Sequence, residues 1–84
     1  MTKVINGKYY NTETAIEVCD KIYQHSGSTL YRTRKGNYFF YHWNNYGGCY
    51  RSIEPCTVSE AKEFMAEHAT GNEYIKEFGE VEEA

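Results

Sequence analysis

Up to Pro55 the chain reads as short β-forming segments separated by turn signals, with an ambiguous stretch at 16–23, and after Pro55 it takes a helical period. Lys3-Val4-Ile5, Asn6-Gly7 and Lys8-Tyr9-Tyr10 predict a tight hairpin that opens a sheet, because Asn-Gly takes the positive φ angles of a type I′ turn. Asn11 to Ala15 has the composition of a capped helical turn. The next stretch fits two periods. Ala15, Ile16, Cys19, Ile22 and Tyr23 suit a helix, whereas Ile16, Val18 and Ile22 against Glu17, Cys19, Lys21 and Tyr23 suit a strand interrupted by Asp20. Both readings of residues 16–23 stay open. Thr29 to Thr33 and Tyr38 to Trp43 are rich in β-formers and predict paired strands, joined by Arg34-Lys35-Gly36-Asn37 with Gly36 free to turn left-handed. Asn44 to Gly48 predicts a turn into a further strand, Cys49 to Ile53, stopped by Pro55.

Thr57-Val58-Ser59-Glu60 is a capping box, and it predicts a helix start at that point. Val58, Ala61, Met65 and Ala69, with Phe64, form an apolar stripe at three- and four-residue spacing, leaving Lys62, Glu63 and Glu67 outward. Gly71 is expected to end this helix and Asn72 to cap a second one through Phe78, ahead of a frayed acidic tail over 79–84. The resulting class is α+β: one domain over 1–84, an antiparallel sheet of about four strands, C-terminal helices packed on one face, and the other face partly aromatic and open.

Composition sharpens this picture. A chain of 84 residues buries only about 60 to 65 per cent of its unfolded surface. Nine Tyr, four Phe and one Trp must therefore supply much of the core, and their hydroxyls suit a surface that meets other proteins. No apolar run approaches the roughly 18 residues of a membrane span. Residues 1–7 lack the hydrophobic stretch of a signal peptide, so a cytoplasmic protein is expected. Cys19, Cys49 and Cys56 form an odd set without CxxC spacing and read as reduced thiols.

Charge is unevenly placed. From Met1 to Ile53 seven Lys or Arg oppose three acids, a balance of +4; from Glu54 onward nine Glu oppose two Lys, a balance of −7. The acidic part can be a solvated helix surface, or it can face a basic surface on another protein, with Glu60, Glu63, Glu67, Glu73 and Glu77 presenting the charge. Trp43, Tyr46 and Tyr50 flank the Gly47-Gly48 loop and are the aromatic anchors expected for a partner or for a homodimer. The alternative site is the basic aromatic hairpin 29–43. There Arg32, Arg34 and Lys35 adjoin Tyr38, Phe39 and Tyr41, the combination that stacks on single-stranded bases. Arg32 falls opposite Phe39 or Tyr38 depending on turn length, so the face displayed is left open. Cys49 and Cys56 with His42 or His68 would make a reasonable zinc set, but their six-residue gap matches no common knuckle. No metal, cofactor or catalysis is expected.

Val4 to Ala15, Leu30-Tyr31-Arg32 with Gly36 and Tyr38-Phe39, a proline before a helix carrying Glu60-Ala61-Lys62, and the ending Glu77 to Glu83 resemble a group of small acidic proteins. These are encoded by phages, plasmids and integrative elements of Gram-positive bacteria. The resemblance spans most of the chain and departs at Ile16 to Ser28 and Trp43 to Gly48. It carries no catalytic motif. It implies a setting in a host bacterium more than a mechanism, and size, acidity and the lack of an enzymatic signature are similar to those of anti-CRISPR inhibitors. The partner so implied is a host protein or ribonucleoprotein, such as a CRISPR effector.

Overall fold

A computed structural model describes residues 1–45, 47–48 and 50–79; the expectations for Tyr46, Cys49 and the tail beyond Gly79 lie outside the described residues. The chain is α+β. Strands β1 (Thr2–Ile5) and β2 (Lys8–Asn11) pair only with each other, while β3 (Ile16–Ile22), β4 (Ser26–Arg32), β5 (Tyr38–Asn44) and β6 (Tyr50–Cys56) form an antiparallel sheet in chain order. Helices α1 (Val58–His68) and α2 (Gly71–Phe78) follow.

The hairpin turns as expected, with Asn6 and Gly7 at φ 52° and 74°. It does not open the main sheet. Asn11 closes a helical turn, its carbonyl accepting from the Ala15 N–H at 3.0 Å and its Oδ1 from the Glu13 N–H at 2.9 Å. The chain is thereby redirected before β3, and the hairpin packs on a sheet face instead of extending an edge. Tyr10 meets Phe39 edge-to-face at 5.4 Å, Tyr31 stacks on Phe39 at 5.2 Å, and Ile5, Ala15, Tyr41 and Ile53 complete this cluster. The face expected to be open is thus covered in part by the hairpin.

The opposite face carries the helices. Cys19, Leu30 and Tyr38 pack against Ala61 and Met65, with Phe40 against Phe64 at 5.0 Å and Tyr38 against Phe78 at 5.6 Å. Val58, placed in the apolar stripe by its spacing, stands exposed. Residues 16–22 are strand. A register shift between Glu17 and Cys19 brings both Val18 and Cys19 to the helix-side core, and this bulge breaks the alternation along the sequence. Strand β6 continues through Pro55 because it lies at a sheet edge, where a missing N–H costs no ladder bond. Gly71 begins α2 instead of ending α1. Thr70 is the N-cap in place of Asn72, and its Oγ1 accepts from the Glu73 N–H at 3.2 Å while Glu73 Oε1 accepts from the Thr70 N–H at 3.0 Å.

Candidate functional site

The five glutamates expected to present charge divide by what they touch. Glu60 closes the α1 capping box, accepting from the Thr57 N–H at 2.9 Å, and Glu73 does the same for α2. Accepting those bonds pulls the Glu73 carboxyl below its usual range. Glu77 is mostly buried; one of its oxygens accepts from Arg32 Nε at 2.7 Å and from the Tyr38 hydroxyl, fastening α2 to the sheet. Glu63 and Glu67 remain on the exposed side of α1, with His68 Nε2 3.5 Å from Glu67. Three carboxylates therefore have structural work within the fold, and two are presented outward.

The basic aromatic hairpin divides in the same way. Register sets Arg32 opposite Tyr38, on the helix side. Phe39 is fully buried, Tyr38 is buried, and Tyr41 is half-buried against the hairpin-side cluster, so the strand displays no continuous track of bases and rings. Arg34 and Lys35 stand exposed on the turn.

At the far end of the sheet the picture differs. Trp43 lies across Gly27, its cross-strand partner, so closely that a Cβ there would sit 2.7 Å from the indole nitrogen. Beside it Ile22, Tyr23 and Tyr50 are 68%, 54% and 61% exposed. Lys21 Nζ sits 4.7 Å above the Tyr23 ring. The Asn45 N–H donates to the His25 carbonyl at 2.8 Å, tying the β3–β4 turn to the β5–β6 connection. Tyr23, Ser28, His42, Trp43 and Tyr50 line a hollow of about 190 Å³. Ser28 Oγ lies 2.7 Å from His42 Nδ1, and Glu54 Oε1 3.3 Å from Nε2, which fixes the imidazole across three strands. Glu54 is largely exposed, where water weakens its hold on the ring. Ser28 and Glu54 were not singled out from the sequence; the signal is their register beside His42 on β4 and β6.

Burial pushes the Cys56 thiol up to about 12, with Glu60 and Glu54 adding to it, and raises Cys19 for the same first reason. Both shifts favour the protonated thiol at neutral pH. Among the described residues no group of three His, Cys, Asp or Glu is placed to hold a metal ion. No helix there is long and apolar enough to cross a membrane.

These features define a small α+β domain: a four-stranded meander clamped between two capped helices and an aromatic hairpin. No protein-family model, curated protein or solved structure matches the chain.

Proposed function

We propose that this chain is a non-enzymatic binding protein that docks on a protein surface through the Tyr23–Trp43–Tyr50 end of its sheet. In the mobile-element setting implied by the resemblance, the partner is a host defence complex, and the action is inhibition of the anti-CRISPR kind. The observation that carries the reading is the exposure of Tyr23 and Tyr50 around a hollow walled by Trp43, with exposed Ile22 on the neighbouring strand. Leaving that much apolar surface in water costs about 25 cal/mol per Å², and a partner recovers it. Tyr and Trp are the side chains most often responsible for affinity at protein interfaces, and a hollow of about 190 Å³ suits an anchoring side chain from the other side. The backbone bond between Asn45 and His25 ties the two turns that flank these rings, which lowers the cost of ordering the backbone on binding. Glu63 and Glu67, outward on α1, add charge that steers approach to a basic surface.

The test uses a panel of purified CRISPR effector complexes immobilised with and without nuclease treatment, each followed by a DNA-cleavage assay. Capture of one effector in both arms, with loss of its cleavage, is the expected result. Tyr50→Ala and Tyr23→Ala should each weaken capture by about tenfold, the scale of a single anchor. Capture unchanged in the folded double variant, or no effector captured, overturns the reading.

A further inference from the structure

A second site lies at the other end of the sheet. The N-terminal hairpin and the β4–β5 turn face each other across a groove of about 560 Å³ whose lining includes Lys8, Tyr9 and Thr14 on one wall and Arg34, Lys35 and Asn37 on the other. Three cations from two separate elements meet there, and no carboxylate lines the groove among the described residues. None of the three has an ion-pair partner among those residues, whereas Arg32, two residues away, is held by Glu77. Such a concentration of positive charge in a groove attracts anions.

The walls are ordered. On one side the Thr33 N–H donates to the Asn37 carbonyl at 2.8 Å, and the Asn37 N–H donates to Thr33 Oγ1 at 3.1 Å. On the other, Asn11 Nδ2 donates to the Tyr9 hydroxyl at 2.9 Å, holding an exposed ring at the groove. Arg offers a planar fork to phosphate and Lys a point charge, while an oriented tyrosine offers a face for a base. The volume falls within the range that encloses small ligands.

We infer that this groove binds a nucleoside phosphate, with the phosphate between Lys8, Arg34 and Lys35 and the base against Tyr9. The same chemistry is carried by a free nucleotide and by the phosphorylated end of a strand. Isothermal titration of the full chain at about 50 mM salt distinguishes them. The probes are adenosine and cytidine 5′-monophosphate, inorganic phosphate, adenosine, and a tetranucleotide with and without a 5′-phosphate.

The mononucleotides should bind at least about tenfold more tightly than phosphate or adenosine alone, since each of these keeps only one of the two contacts. Binding should fall at least about tenfold in Arg34→Ala/Lys35→Ala, and again on raising salt to about 200 mM. Should that variant not fold, Lys8→Gln on the opposite wall tests the same phosphate contact. Preference for the phosphorylated tetranucleotide over the monophosphates assigns the site to a strand end, and the reverse assigns it to a free nucleotide; either supports the inference. Phosphate binding as tightly as the nucleotides, no binding of any nucleotide at millimolar concentration, or equal affinity in the folded variants overturns it.

Discussion

Gly27 shows how a single missing side chain sets the aromatic end. A methyl group at that position would meet three atoms of the Trp43 ring at 2.7–2.8 Å, so Gly27→Ala must displace the indole. Overpacking of this kind costs about 1–3 kcal/mol. The expected outcome is a lower urea midpoint together with a red-shifted emission from the sole tryptophan, which reports its entry into water. Cys56 makes a second prediction. Its thiol is pushed up to about 12 from an ordinary value of 9.0, so the folded state holds the proton when the unfolded chain has lost it. The stability so contributed is present below pH 9 and is lost as pH rises toward about 12. Thermal melts from pH 8 to 11 should show a falling Tm, and Cys56→Ala should flatten that fall. At this scale the sequence was legible where partners are near. The Thr57–Glu60 pair reads directly as a capping box and forms one. Glu77 was not legible in the same way, because Arg32 and Tyr38 lie 45 and 39 residues before it and are brought to it only by docking α2 on the sheet.

The elements repeat this lesson. Both central strands, the Asn-Gly hairpin and the onset of α1 lie where local pattern puts them. The start of α2 does not, although Thr70-Gly71-Asn72-Glu73 has the same Thr-x-x-Glu spacing as the first box. Glycine usually ends a helix, and that tendency obscured the cap. Thr70→Ala removes the hydroxyl that accepts from the Glu73 N–H and should cost about 1 kcal/mol. Circular dichroism during urea unfolding measures the loss, and Thr70→Ser should restore most of it. Strand β3 was ambiguous for a different reason. Its bulge gives consecutive residues Val18 and Cys19 the same core, a pattern that neither a strict strand period nor a helical one reproduces.

Across the whole molecule, the charge asymmetry of the sequence becomes a more local arrangement. Glu77 engages Arg32; Lys8, Arg34 and Lys35 gather between the hairpin and the β4–β5 turn, and Lys21 and Arg51 stand at the Tyr23–Tyr50 end. Trp43 and Tyr50 were legible as anchor candidates because they flank the Gly47-Gly48 loop, but Tyr23 and Ile22 joined them only through the pairing of β3 with β4 and β4 with β5. The groove was illegible because its walls, near residues 8–14 and 33–37, are separated in sequence and meet through the packing of Tyr10 on Phe39. The sheet's two outer strands carry a last consequence. On one side β3 is bulged and bears Glu17, Asp20 and Lys21; on the other β6 contains Pro55, which has no N–H to offer. Each rim is a poor template for another chain, which disfavours strand-to-strand addition between copies.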